Sequence, residues 1–317
     1  MPHARSSLLL SWICVLLLLA GCGGGSSTPD LGEWSLKTNG MILTEELRVS
    51  DTETFYFGSI VGLDVTNEGR IVVADRQAKN LKLLRSNGTL LDTLGRAGSG
   101  PGEFRQLIDV QVARGDSLYA FDPRQSRLTV FAPGAPYRLS RTVRLPRKSG
   151  FPIRFQILDE AVVAEFASTS SPEEGVARPS PRTWRVVQES GALGDTLLQT
   201  PGYRMLTTET SGGGFRMQTV PLSPRTAIAW GPDGRLYHGW TDSLHVEARS
   251  LNGSSTDIAS VPTHPVPLTE AARDSVLKDT DSDIRSKLGP ALPDTKPAFS
   301  DLIVADDGRI WVKRPKK

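Results

Sequence analysis

A short element recurs down this chain, and recurrence on the scale of a few strands constrains the fold more than any single motif. A turn, a glycine or its stand-in, and an apolar strand follow one another at Asn67–Asp75 (NEGRIVVAD), Arg114–Asp122 (RGDSLYAFD), Pro232–Tyr237 (PDGRLY) and Asp306–Val312 (DDGRIWV). A weaker copy is Leu158–Ala164 (LDEAVVA). Counted at residues 69, 115, 160, 234 and 308, the copies stand 46, 45, 74 and 74 residues apart. The first two spacings fit one four-stranded antiparallel unit each; the last two fit the same unit with an insertion. The first unit reads as strands at 60–65, 70–74, 81–84 and 89–94. Asn87-Gly88 reads as its tight hairpin turn, with positive φ at both residues. The expected fold is all-β: a propeller of four-stranded blades, about five of them visible, over residues 33–317.

The N-terminus reads as a targeting segment rather than part of the fold. Leu8–Leu19 is an apolar run too short to span a bilayer, behind His3 and Arg5. Small residues lead to Cys22, and a Gly/Ser stretch follows it. Residues 1–21 resemble a bacterial lipoprotein signal peptide, which implies lipidation of Cys22, a flexible tether over 22–32 and anchoring to the membrane. Gly23 after the cysteine points to the outer membrane or its periplasmic face, where the cell has one. The other cysteine, Cys14, lies in the removed segment, so no disulfide is expected in the mature chain. The formal net charge of +2 argues against a nucleic-acid partner.

Val72–Asp75, Asn80–Leu84 and the Gly-rich stretch Leu94–Phe104 together resemble an NHL repeat, and Phe121-Asp122 with Arg127–Phe131 repeats part of it. Pro297–Asp301 (PAFSD) before Gly308–Val312 (GRIWV) resembles the end of the helical insertion in bacterial six-bladed β-propeller lipoproteins. That resemblance covers roughly residues 55–317 and implies six blades. Relatives continue past the last hairpin, so a truncated product or an imperfectly closed ring is expected from a chain that stops at Lys317.

The tight turns fall on one face of the expected propeller. The long pieces, 168–182, 201–224 and 262–296, fall on the other. Loops on a rigid scaffold carry function more often than the scaffold does. The third piece holds an expected helix near 268–289, within an insertion at 266–290. Thr269 is its N-cap, and Leu268, Ala272, Val276, Ile284 and Leu288 form its apolar stripe. In the second piece Tyr203, Arg204, Phe215 and Arg216 are the candidate binding residues, because aromatic and arginine side chains anchor interfaces. The expected function is a binding or scaffold module for a protein, peptide or glycan.

The alternative is an enzyme. Six-bladed propellers include calcium-dependent lactonases and metal-dependent hydrolases and lyases, which arrange carboxylates around the axis. Asp64, Asp109 and Asp301 are the weak candidates here for a calcium site. Asp279, Asp281 and Asp283 begin like a calcium loop but lack its later glycine and glutamate. His238, His245 and His264 are the histidines of the mature chain; the first two fall on successive strands, with no metal-ligand spacing beside them.

Overall fold

The computed structural model describes residues 45–49, 55–158, 161–168, 175, 178–179, 181–210 and 212–315. Cys22, the signal segment and the tether lie outside them. The strands assemble into four antiparallel four-stranded sheets in simple up-and-down order, followed by one hairpin. Blade 1 is Ile60–Val65, Ile71–Asp75, Asn80–Leu84 and Leu90–Leu94. Blade 2 is Asp109–Val112, Leu118–Asp122, Arg127–Ala132 and Arg138–Arg144. Blade 3 is Phe151–Leu158, Ala161–Ala167, Arg182–Val187 and Leu193–Thr200. Blade 4 is Thr226–Trp230, Leu236–Trp240, Leu244–Arg249 and Ser255–Val261. Asp301–Val304 and Ile310–Lys313 form the hairpin of blade 5.

One turn design explains the copies counted at 69, 115, 234 and 308; the turn of the weaker copy, at 159–160, lies outside the described residues. In each, a residue donates its N–H to the carbonyl four positions on, and the residue at the fourth position donates back to it. The fourth residue takes positive φ: Gly69, Gly88, Asp116, Gly191, Gly234, Gly253 and Gly308. The left-handed residue of blade 2 is Asp116, aspartate being one of the few side chains tolerated there. The hairpin of blade 1 departs from expectation. At Asn87-Gly88 only Gly88 has positive φ, because the loop is a turn followed by one left-handed residue.

Alternation along each strand gives each blade two apolar faces, and the cores form between blades. Leu81, Leu83, Phe104, Leu107, Leu118 and Tyr137 join blades 1 and 2. Phe121, Leu128, Phe155 and Phe166 join blades 2 and 3. Trp184 of blade 3 meets Leu236, Ile228 and Trp230 of blade 4. Tyr237, Val246, Phe299 and Leu302 join blade 4 to the last hairpin. Val49, Phe55 and Phe57 cover the remaining face of blade 1 over Val73 and Leu84.

Two buried aspartates latch blade to entry loop. Asp75 ends the second strand of blade 1 and accepts from the N–H groups of Gly58, Ser59, Gln77 and Ala78 and from Lys82 Nζ. Asp122, the equivalent residue of blade 2, accepts from the N–H groups of Arg105, Gln106 and Gln125. The Gly-rich stretch between these blades is a connection as expected, a short parallel ladder of Arg96–Ala97 with Glu103–Phe104.

The three long pieces behave as one cap. Arg178–Pro179, from the first, pairs with Arg204–Glu209 of the second, which pairs with Phe215–Thr219, giving a three-stranded sheet. The third leaves blade 4 through Val266–Pro267 and returns through Thr295–Lys296. Between them lie two helices, α1 (Glu270–Leu277) and α2 (Ser282–Leu288), where one had been expected. The Thr269 hydroxyl accepts from the Ala272 N–H, confirming the cap. The break falls at Asp279-Thr280-Asp281, three residues that compete poorly for helix interiors and favour caps and turns. Leu268, Leu277, Ile284, Leu288 and Leu292 pack on Leu206 of the cap sheet and on Val220 just after it. No helix among the described residues is long and apolar enough to cross a membrane.

Candidate functional site

The cap does not seal down on blade 4. Between the cap sheet, α1 and the entrance to blade 4 lies a cavity of about 740 Å³. That is the size range of small-molecule and cofactor sites. Its lining combines an aromatic and aliphatic floor, Tyr203, Val220, Leu222 and Phe299, with the cations Arg204, Arg225 and Lys296. Hydroxyls come from Ser223, Thr241, Ser275 and Ser300. No carboxylate is among these lining residues.

Tyr203 is fixed by stacking. The Arg182 guanidinium lies 5.4 Å from its ring centroid and the Arg225 guanidinium 5.3 Å. Each such contact contributes about 0.5–2 kcal/mol, more as water is excluded. Arg225 is itself held: its N–H donates to Thr241 Oγ1 at 2.9 Å, and Nη2 to the Ser300 carbonyl at 3.0 Å. On the far side, Arg182 stands 4.0 Å from Glu165, with Arg154 at 3.6 Å from the same carboxylate. Burial pushes the Glu165 carboxyl up, and the charges of Arg154 and Arg182 pull it part of the way back. Arg154, Arg182 and Arg225 thus follow one another toward the cavity wall.

The sequence candidates divide. Tyr203 and Arg204 line the cavity. Phe215 and Arg216 do not; they sit on the outer strand of the cap hairpin, with Phe215 52% exposed. Arg216 reaches back to Asp281, 3.6 Å away, and ties the hairpin to the turn between the helices. Arg225 and Lys296 gave no sequence signal, because each is a lone basic residue, one just before a strand and one within a two-residue strand.

The inner aspartates are engaged in strand-to-strand contacts. Asp64 accepts from its own neighbour Val65 N–H and, across to blade 2, from Val112 N–H at 2.7 Å. Asp109 accepts from the Val110 N–H and Gln111 Nε2. Burial raises its carboxyl above the usual range, and the Asp64 charge adds to that. Gln111 carries the contact on to blade 3, donating to the Phe155 carbonyl and accepting from the Ile157 N–H. Asp301 is exposed and accepts from the Leu302 N–H. Among the described residues, the one group of three candidate ligands close enough to share an ion is His245, Glu247 and Asp257, on blade 4.

No curated protein matches the sequence. Solved structures similar in architecture include virginiamycin B lyase from Staphylococcus aureus (11% identity, TM-score 0.36, 80% of this chain and 63% of that one). Others are a gluconolactonase from Xanthomonas campestris (14%, 0.38, 80% and 69%) and a DUF4221 family member from Bacteroides vulgatus (9%, 0.45, 70% and 63%). The chain thus spans less than two thirds of the lyase, and likenesses this distant bring no activity with them. Residues 47–146, which hold the first two blades, match the family model described as a 6-bladed β-propeller, and the chain is a β-propeller of four-stranded antiparallel blades.

Proposed function

We propose that this chain is a binding propeller that takes an acidic, partly apolar peptide segment of its partner in the cavity under the cap. The observation that carries the reading is the lining: three cations, a clamped tyrosine and an apolar floor, with no carboxylate to repel an anion. An arginine offers a carboxylate paired, charge-assisted hydrogen bonds, and a fixed one gives up little freedom to do so. Arg204 is the residue to test, since Arg225 also holds the blade entrance together.

Fluorescence polarisation with a labelled array of acidic hexapeptides, half of each carrying an apolar residue, is the direct measurement. Arg204→Glu should weaken the best binders at least tenfold, about 1.4 kcal/mol, and leave the melting curve in place. Uncharged and basic peptides should bind neither protein. Equal binding of acidic and basic peptides, or no effect of the charge reversal, would remove the cavity from consideration.

Anchoring is part of the same reading. A lipidated Cys22 would hold the propeller at the envelope, on the outer-membrane or periplasmic side, with its cap free to meet partners. The Cys22→Ser variant is then expected in the soluble fraction, and the native chain in the membrane fraction with a diacylglycerol mass increment. An unmodified native cysteine would be enough to discard the anchor.

A further inference from the structure

A second site lies on blade 4, away from the cavity. Tyr237, Val246 and Ala248 face blade 5. Strand alternation therefore turns His238, His245 and Glu247 to the opposite side, with Leu236. Register does the rest: His238 stands across from Glu247, and Glu247 across from Asp257. His245 Nε2 is 3.5 Å from Glu247 Oε1 and 3.5 Å from Asp257 Oδ1. The three donor atoms all lie within 4.8 Å of one another.

We propose that His245, Glu247 and Asp257 bind a divalent transition-metal ion, with zinc the best fit. Ligands at about 2.0–2.2 Å in a tetrahedron stand roughly 3.3–3.5 Å apart, which is the spacing found for His245 with each carboxylate. Imidazole with two carboxylates is a borderline donor set that suits zinc better than calcium, which takes six to eight oxygens. Three protein ligands leave a fourth position for water. Two further groups steady the cluster from behind. Ser255 Oγ donates to Glu247 Oε2 at 2.9 Å, and His238 Nε2 lies 3.8 Å from the same oxygen. That buried nitrogen has no hydrogen-bond partner, and it lies beside the one oxygen of Glu247 that the metal leaves free. His238 is therefore a positioning residue rather than a ligand.

His238 and His245 were legible as histidines on successive strands, but the carboxylates beside them were not, because Asp257 comes from a third strand. Cross-strand register assembles them.

The test is zinc titration of the untagged, chelator-treated protein by calorimetry, with cobalt(II) as a spectroscopic probe. One zinc per chain is expected at micromolar affinity or tighter. The cobalt form should show the intense visible bands of tetrahedral coordination. His245→Ala with Asp257→Asn should weaken zinc at least 100-fold with the metal-free melting curve little changed. His238→Ala should weaken it about tenfold, the range for outer-shell partners. Absence of stoichiometric zinc binding, or the same affinity in the double variant, overturns the proposal. Octahedral cobalt spectra overturn it as well, since they mean loose surface carboxylate binding.

Discussion

Asp75→Ala is expected to destabilise the propeller by about 3–5 kcal/mol, the cost of breaking a buried ion pair by removing one partner. Both members are out of water: the Asp75 side chain is 0% exposed and Lys82 6%. Lys82 Nζ sits 2.8 Å from Asp75 Oδ2 and would be left with Asn80 Oδ1 at 3.2 Å and two aromatic faces about 6 Å away. Four backbone N–H groups lose their acceptor at the same time. In a domain of this size such a loss lowers the melting temperature by roughly 10 °C. Asp75→Asn keeps an acceptor and loses the charge, so it should fall between. The pH dependence has a definite sign. Burial alone would raise the Asp75 carboxyl, but Lys82 and the N–H groups outweigh it and hold the pKa well below the usual range. A carboxylate lowered by folding stabilises fully above its unfolded pKa of about 4 and loses that contribution progressively as the pH falls toward its folded pKa. Urea titrations from pH 7 to pH 2 should therefore show the native protein weakening progressively below about pH 4 and Asp75→Asn much less. A cost under about 1 kcal/mol at pH 7 would mean the latch is not what holds the blade to its entry loop.

The latch also shows how legibility is distributed in this chain. Strand boundaries of blade 1 were readable to within a residue, because period-two patterning and Gly-bearing turns are local properties. The three long pieces were readable as loops on one face for the same reason. Their assembly was not. That Arg178–Pro179 joins the hairpin of Arg204–Thr219 depends on pairing across two intervening blade strands, which no local pattern encodes. The helical insertion was legible as helix but not as two, since a stripe at multiples of four tolerates a break at Thr280 without losing its pattern. At the site, Tyr203 and Arg204 could be found by residue type, while Arg225 and Lys296 gain meaning only from the cavity they line. Asp64 and Asp109 show the converse. Their place at the inner strands was read correctly, and what they do there is tie neighbouring strands through backbone N–H groups and Gln111.

Trp184→Ala is expected to cost about 3–5 kcal/mol, the range for removing a large buried aromatic. Trp184 is 0% exposed and sits at the seam of blades 3 and 4, edge-on to Trp230 with centroids 5.8 Å apart. This seam depends on packing more than those of blades 1 with 2 and 2 with 3. The Thr200-to-Thr226 connection is given over to the cap, so no short loop binds blade 3 to blade 4. The apolar contact of Trp184 with Leu236, Ile228 and Trp230 therefore bears most of the attachment. Trp184→Phe separates packing from polarity. The indole Nε1 is buried with no hydrogen-bond partner. Such an orphaned donor costs about 1–3 kcal/mol, which phenylalanine regains while giving up part of the ring contact. The phenylalanine variant should then lie within about 1.5 kcal/mol of the native protein. Equal, large losses in both variants would show that the seam depends on the full indole shape. A small loss in the alanine variant would show that blades 3 and 4 are held through the cap instead, by Arg182, Tyr203 and Arg225.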